Sequence, residues 1–202
     1  MIENFLRAAC GPVELGADVL RAVGTVSVVL AAIFFDLTDA AIVAFALPGL
    51  YFPRFVGMRA WADLLFAGTV LIAAWSNVFD LYTRISWWDL AVHFVCTGVV
   101  AAGAYLVLAN LQIVPLLRGG RNSRTSGVIL TLTIGLALSA VWEMVEWLGR
   151  AYISDEIYTA YGDTIADMAL GGLGSLTAGF AIAFLPLLRT DQPGNDKVAK
   201  AP

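Results

Sequence analysis

Three short motifs at the edges of apolar runs contain five acidic residues and the only histidine of this 202-residue chain. They are Trp87-Trp-Asp-Leu-Ala-Val-His93, Trp142-Glu-Met-Val-Glu-Trp147 and Gly162-Asp-Thr-Ile-Ala-Asp-Met168. In each motif the ionisable residues are three or four positions apart, so a helix would place them on one face. Carboxylates with one imidazole form a ligand set for a divalent cation. The motifs therefore predict a metal site or, without metal, a set of carboxylates that share protons.

The residues of the motifs divide into two predicted roles. The candidate metal ligands are His93, Glu143, Glu146, Asp163 and Asp167, and the candidate catalytic groups are Asp89 and Glu143. A bound divalent ion would neutralise carboxylates that otherwise repel one another, and it could activate water for attack on a substrate. A carboxylate that does not bind the ion would be left to act as a general base.

The composition predicts the environment of these motifs. Hydrophobic residues make up 59% of the chain and charged residues 14%, whereas a soluble domain has about 25% charged residues. The mean hydropathy is +0.79. A water-soluble fold of this length could not bury so much apolar surface, so the sequence predicts an integral membrane protein in contact with the lipid bilayer. The small net charge of −4 and the scattered basic residues argue against nucleic acid as a partner.

Apolar runs that could cross about 30 Å of hydrocarbon predict an all-α, polytopic transmembrane bundle of about six spans. The predicted spans are residues 19–35, 40–52, 61–79, 87–108, 127–148 and 164–188 within a membrane domain of residues 19–188. Residues 1–18 are predicted to form a cytoplasmic segment, and residues 189–202 a disordered cytoplasmic tail. The first two spans are short, which favours a tilted or partly inserted hairpin.

The distribution of arginine and lysine predicts the orientation of the spans. With six spans and both termini inside, ten basic residues lie in cytoplasmic segments, and only Arg84 and Arg150 lie outside. This asymmetry agrees with the positive-inside rule. If the first two spans formed a single span, eight basic residues would lie in cytoplasmic segments and four in external ones. The sequence therefore predicts an N-in/C-in topology, with all three motifs at the external face.

Small residues recur at every fourth position behind the motifs. The stripes are Asp167, Gly171, Ser175, Gly179 and Ala183 in the sixth span, Thr131, Gly135, Ser139 and Glu143 in the fifth, and His93, Thr97 and Ala101 in the fourth. Transmembrane helices pack closely along faces of this kind. We therefore expect spans four to six to form a tight bundle, with the acidic residues turned inward and away from lipid.

Simpler explanations are available for parts of this pattern. The helix dipole favours acidic residues at helix N-termini, such as Asp89 and Asp163, without any function. Tryptophans beside the motifs are typical of the membrane–water interface, and His93 could be a hydrogen-bonded structural residue. Asp63, near the start of the third span, is expected at the interface. Glu143 is harder to explain, because it lies near a helix C-terminus, where the dipole disfavours a negative charge.

The three motifs together resemble the YjdF-like family of small bacterial inner-membrane proteins and, more distantly, the VanZ-like proteins. The similarity covers roughly residues 63–185. It implies a helical membrane fold and an important site at the residues of the motifs, but no established activity. VanZ-like proteins are linked to glycopeptide resistance and the cell envelope. Glu146 stands where they tend to have glutamine, and no arginine directly precedes Asp163, so this chain departs from their pattern.

Three functions are compatible with the sequence. The first is a metal-dependent membrane enzyme that acts on a lipid or cell-envelope substrate. The second is a small cation- or proton-coupled transporter, in which the same carboxylates would bind the ion and a homo-oligomer would have to complete the pathway. The third is a non-catalytic scaffold, in which the polar cluster locks three helices and a membrane partner is bound.

Overall fold

The computed structural model describes residues 1–114, 121–154, 157 and 159–189. Within these ranges the regular secondary structure is helical, without β-strands, so the predicted all-α class is confirmed. The helices are α1 (Ile2–Leu6), α2 (Pro12–Phe34), α3 (Leu37–Val56), α4 (Ala60–Val78), α5 (Leu81–Arg84), α6 (Trp88–Asn110), α7 (Arg121–Tyr152) and α8 (Tyr161–Phe184).

Six of these helices (α2, α3, α4, α6, α7 and α8) are long and apolar enough to cross a membrane. The shortest has 19 residues, close to the roughly 20 that a hydrocarbon core of about 30 Å requires. The predicted number of spans is confirmed, and the fold is that of a multi-pass membrane protein. The N-in/C-in orientation stays a prediction.

The first two long helices extend further than hydropathy indicated. Helix α2 has 23 residues and α3 has 20, so both can cross completely. The added first turns of α2 contain Glu14 and Asp18, whose charges arginine side chains neutralise. Helix α7 likewise begins at Arg121, before the predicted start. Except for Arg189, the predicted tail of residues 189–202 lies outside the described residues.

Local sequence signals set the ends of α2 and α3. Pro12 lies in the first turn of α2, where its missing N–H would have had no partner in the helix. The Asp36 carboxylate caps α3 by accepting a hydrogen bond from the Asp39 N–H at 2.8 Å. Gly57 then ends α3 with a φ of 79°, a left-handed conformation that glycine adopts without a steric penalty.

The chain forms two compact units, of which the first comprises Met1–Leu81 and the segment from Pro186 onward. Its helices α2, α3 and α4 pack around small apolar residues. Two buried clusters form this core, one of Ala31, Ala40, Val43, Ala74 and Val78 and the other of Leu50, Ala67 and Leu71.

A buried ion pair links α2 to α4 in the first unit. The side chains of Arg21 and Asp63 are 4% and 7% exposed, and they form a hydrogen-bonded salt bridge. Arg21 also contacts Asp18 at 2.8 Å, and Arg54 of α3 contacts the same carboxylate at 2.9 Å. The folded helices thus enclose Asp63 with a partner of opposite charge, and its location at the level of the membrane interface stays a prediction.

A second set of ion pairs converges on Glu14 in the first turn of α2. The Glu14 carboxylate accepts from Arg7 at 2.8 Å and from the Cys10 N–H at 2.6 Å, and it also pairs with Arg189. Charges within or beside a span are tolerated when they are paired in this way. These contacts hold the segments at both ends of the described chain against α2.

The second unit, Tyr82–Leu185, contains α6, α7 and α8, and α8 packs against both of the others. Glycine allows the backbones of α6 and α8 to touch. A Cβ atom on Gly98 of α6 would lie 2.8 Å from the Gly174 carbonyl oxygen of α8, and one on Gly174 would collide with the carbonyl oxygen of Phe94. Such close approach is characteristic of small-residue contacts between membrane helices.

Helix α7 meets α8 along the predicted stripe of small residues. Thr131, Gly135, Ser139 and Glu143 of α7 are all buried, as are Asp167, Gly171, Ser175, Gly179 and Ala183 of α8. A Cβ atom on Gly135 would collide with the Ser175 side chain and would lie 3.2 Å from Ala101 Cβ of α6. The expected tight packing of spans four to six is confirmed, and it fixes how the motifs face one another.

Gly174→Ala is expected to destabilise the second unit by about 1–3 kcal/mol, because the added methyl group forces the α6 and α8 backbones apart. The thermal midpoint of the detergent-purified protein measures this loss. Gly162→Ala is the matched control, since a Cβ atom there meets nothing within 4 Å. Equal midpoints for the two variants would contradict the proposed backbone contact.

Asp63→Ala is expected to lower the free energy of unfolding by about 3–5 kcal/mol. The buried Arg21 charge would then keep only the more exposed Asp18 as an acidic partner. Unfolding in mixed micelles of dodecyl sulfate and a mild detergent measures the change. Asp18→Ala should cost less, since the Asp18 side chain is 33% exposed. Replacing both charges in an Arg21→Met/Asp63→Leu double variant should recover most of the stability, and failure to recover it would argue against a simple charge effect.

Candidate metal centre

The three motifs meet at one end of the second unit. Asp89 lies in the first turn of α6 and Asp163 in the first turn of α8, whereas Glu143 lies toward the end of α7. Helix α7 therefore runs antiparallel to α6 and α8 at this point. Because the inward faces recur every fourth residue, His93, Glu143 and Asp167 become neighbours one turn below the ends of α6 and α8.

His93 lies between two carboxylates contributed by different helices. Its side chain is 6% exposed, with Nε2 3.5 Å from Asp89 Oδ1 and Nδ1 3.9 Å from Glu143 Oε1. Both ring nitrogens thus face an acidic oxygen at slightly more than hydrogen-bond distance. An imidazole in this position can bind an ion through one nitrogen while its other N–H points to a carboxylate.

Two carboxylates of the cluster are buried with incomplete hydrogen bonding. Glu143 and Asp167 are 9% and 2% exposed, and neither Glu143 Oε1 nor Asp167 Oδ1 has a hydrogen-bond partner among the described residues. A buried polar atom without a partner costs about 1–3 kcal/mol, and a charged one costs more. The described side chains thus leave these two oxygens without a partner, and a bound cation or a shared proton would each supply one.

Five of the six predicted residues fall into two groups that could each hold an ion. The Asp89 group consists of Asp89, His93 and Asp167, and the Glu143 group consists of His93, Glu143 and Glu146. Within each group the potential ligand atoms all lie within 4.8 Å of one another. Ligands about 2.0–2.2 Å from a shared ion are at most about 4.4 Å apart, so small side-chain rotations would complete either site.

The shared histidine restricts how the two groups can be used. A neutral imidazole donates one nitrogen lone pair, so His93 can ligate an ion in only one group at a time. With the ion in the Asp89 group, Glu143 would accept the remaining His93 N–H. With the ion in the Glu143 group, Asp89 would do so. Each group thus supplies the carboxylate that orients the histidine for the other, as in carboxylate–histidine–metal sites.

Asp163 belongs to neither group. It is half-exposed at the start of α8, although its charge acts on Asp89, Glu143 and Asp167. Glu146 is also half-exposed, and its Oε1 accepts a hydrogen bond from Trp142 Nε1 at 2.9 Å. These two residues lie toward the outer side of the cluster, whereas His93, Glu143 and Asp167 form its buried part.

The hydroxyl groups of Ser139 and Thr97 lie one helical turn from Glu143 and His93, on the side toward the middle of the helices. A Cβ atom on Gly171 would meet Ser139 Oγ at 2.9 Å and Thr97 Oγ1 at 3.0 Å, so both hydroxyls border the same small residue. Ser139 is 2% exposed, and its Oγ has no hydrogen-bond partner among the described residues. Both hydroxyls belong to the predicted stripes, but the spacing alone indicated only helix packing.

Tyr82 is a neighbour of the cluster that the motifs did not indicate. It lies outside the long helices, and its phenol is within electrostatic range of Asp89 and Glu146. Burial raises the pKa of its phenol, and the neighbouring acidic groups raise it further. The phenol therefore stays protonated and can donate a hydrogen bond to an anionic group. No helical periodicity could have revealed it, because Tyr82 precedes α6 and belongs to the short helix α5.

The fold and this cluster define a multi-pass helical membrane protein with a buried carboxylate–histidine site. The chain belongs to the family described as "Predicted membrane protein (DUF2238)", which it matches over residues 19–187. This is the family of the YjdF-like proteins, so the resemblance inferred from the motifs is confirmed. The more distant similarity to VanZ-like proteins stays an expectation. No curated protein and no solved structure matches the chain.

Asp167→Asn is expected to raise the thermal midpoint of metal-free protein at pH 8, because it removes one of several like charges and its desolvation cost. The gain corresponds to about 1–3 kcal/mol. Thermal unfolding in the presence of a strong chelator tests it, with Asp163→Asn as the half-exposed control expected to change the midpoint less. A lowered midpoint for Asp167→Asn would mean that this carboxylate is already well paired in the protein.

Proposed function

We propose that this protein is a metal-dependent enzyme of the bacterial inner membrane that acts on a lipid or cell-envelope substrate. The proposal rests on one observation. Two carboxylate oxygens, Glu143 Oε1 and Asp167 Oδ1, are buried without a hydrogen-bond partner among the described residues, and their side chains adjoin His93. A divalent cation supplies the positive charge and the coordination that such atoms require.

The donor set favours ions that accept both nitrogen and oxygen ligands. Imidazole suits zinc and iron, and carboxylates suit manganese, magnesium and calcium. One histidine with two or more carboxylates is therefore matched best by zinc, manganese or ferrous iron. When bound, such an ion supplies a Lewis acid and promotes the deprotonation of water at neutral pH.

Different residues of the cluster would bind the ion, orient the imidazole and act as the general base. His93 and the carboxylates of one group hold the ion, and the facing carboxylate of the other group orients the imidazole. With the ion in the Asp89 group, Glu143 and Glu146 remain available as general bases. With the ion in the Glu143 group, Asp89 takes that role. Tyr82, as a neutral phenol, can donate a hydrogen bond to negative charge that develops on the substrate.

The surroundings of the cluster support a substrate drawn from the membrane or its surface. Met144, Val145 and Leu148 of α7 are exposed beside Glu143 and Glu146, and in a bilayer these side chains face lipid. Trp87 and Trp147 are also exposed at this end, as is typical of the interface. With the N-in/C-in topology that the arginine distribution predicts, the cluster opens at the external face, where cell-envelope precursors are processed.

A structural lock is a weaker explanation of the cluster. In the first unit, the buried Asp63 carboxylate is neutralised by Arg21 and contributes to helix packing. No arginine or lysine pairs with His93, Glu143 or Asp167 among the described residues. Unpaired acidic groups weaken the contact between helices, so their burial is better explained by a ligand than by a scaffold role.

A transport pathway is also less well supported. Below the cluster, the seam between α6, α7 and α8 is closed by contacts such as Gly135 with Ser175 and Gly171 with Ser139. The buried Thr131 and Ser175 hydroxyls donate to carbonyl groups of their own helices. A cation-coupled carrier would need an opening along this seam or across an oligomer interface.

The first experiment is elemental analysis of detergent-purified protein after loading with zinc, manganese or ferrous iron. Wild type is expected to retain close to one ion per chain, and His93→Ala and Glu143→Gln are expected to lose it, because each removes a ligand or the group that orients it. Asp163→Asn is the control and should change retention by less than about tenfold. Unchanged retention in His93→Ala would rule out this centre.

Two further variants distinguish the two groups. If the ion occupies the Asp89 group, Asp89→Asn should abolish retention and Glu146→Gln should leave it nearly unchanged, and the reverse holds for the Glu143 group. Bound metal should also raise the thermal midpoint, since ligand at about 100 times its dissociation constant stabilises the folded state by about 2.7 kcal/mol.

The enzymatic part of the proposal is tested with metal-loaded protein in nanodiscs of bacterial polar lipid extract. Mass spectrometry is expected to detect metal-dependent conversion of a lipid component by wild type and none by Glu143→Gln. Metal-dependent ion uptake into proteoliposomes without lipid conversion would instead favour the transporter. Absence of both metal and turnover would favour the scaffold.

A further inference from the structure

A groove of about 370 Å³ lies between α7 and α8, far from the candidate metal centre. Val128 and Ile129 from the beginning of α7 and Phe180 and Phe184 from the end of α8 form its apolar lining. Arg124 also lines the groove, and its guanidinium carbon lies 5.2 Å from the centre of the Phe184 ring. The groove is thus mostly apolar, with Arg124 and Thr125 as its polar lining residues.

The position of Arg124 along α7 places the groove at the opposite membrane boundary. Arg124 precedes Glu143 by 19 residues in one continuous helix, which corresponds to about 28 Å at 1.5 Å per residue. This separation is close to the roughly 30 Å thickness of the hydrocarbon core. With the predicted orientation, the guanidinium is at the headgroup level of the cytoplasmic leaflet, and the apolar lining extends toward the membrane interior.

We propose that this groove binds one anionic phospholipid, with the lipid phosphate on Arg124 and one acyl chain along Ile129 and Phe180. Charge complementarity supports this occupant, because Arg124 forms no ion pair with a carboxylate among the described residues. The Phe184 ring contacts Arg124 by a cation–π interaction, and the guanidinium has five N–H donors from which phosphate oxygens can accept.

The apolar lining identifies the ligand as a lipid rather than a free anion. Inorganic phosphate would interact with Arg124 but would gain nothing from Val128, Ile129 or Phe180. An acyl chain fills such a groove by van der Waals contact. Arg121 precedes Arg124 by three residues in the sequence, and each basic residue near a membrane surface adds to the attraction for anionic lipids.

Native mass spectrometry of the full chain, released from detergent with added dioleoylphosphatidylglycerol or dioleoylphosphatidylcholine, tests the proposal. Wild type is expected to retain the anionic lipid about fivefold more than the zwitterionic one, the contribution of one arginine near the membrane surface. Arg124→Gln should remove this preference. Arg150→Gln, at the other end of α7, is the matched control and should keep it.

A second variant tests the apolar part of the site without changing the charge. Ile129 is 57% exposed, so Ile129→Trp is expected to fold and to fill the groove, which lowers the retention of both lipids. The proposal is overturned if wild type retains the two lipids equally, or if Arg124→Gln and Arg150→Gln behave alike. Displacement of phosphatidylglycerol by excess inorganic phosphate would also overturn it, since the site would then be one for a free anion.

Discussion

Close contact between the backbones of α6, α7 and α8 is the constraint on which the candidate metal centre depends. Lipid is as apolar as the helix surfaces, so these helices associate by packing closely rather than by excluding water. Glycine and serine at every fourth position permit that approach, as at Gly98 with Gly174 and at Gly135 with Ser175. The same fourfold spacing continues to Glu143 and Asp167, so the faces that pack together also direct these carboxylates toward His93 at the end of the seam.

The two units differ in how their buried carboxylates are neutralised. In the first unit, Arg21 and Asp63 neutralise each other, and the pair contributes to helix packing. In the second unit, Glu143 and Asp167 adjoin a histidine, with no basic side chain of opposite charge among the described residues. Burial of unpaired charge opposes folding, so the two units differ in whether a side chain of opposite charge offsets the cost of burying their carboxylates.

Much of the fold could be predicted from the sequence, because apolar length and helical spacing are local properties. Six long helices and the facing stripes of spans four to six follow from that information. The ends of α2 and α3 were less predictable, since the first turns of α2 contain Glu14 and Asp18, which lower its hydropathy but are neutralised by arginines distant in sequence. The burial of Asp63 was likewise not predictable from hydropathy, because its partner Arg21 belongs to a different helix.

The sequence by itself determined the membrane environment, the number of spans and the residues from which a metal site could be built. Which of these residues come together was decided only by the tertiary structure. The packing of α7 against α6 and α8 brings Glu143 to His93, whereas Asp163 belongs to neither group of potential ligands. Spacing along one helix specifies a face, whereas distances between side chains of different helices depend on how closely their backbones pack, and that is a property of the assembled bundle.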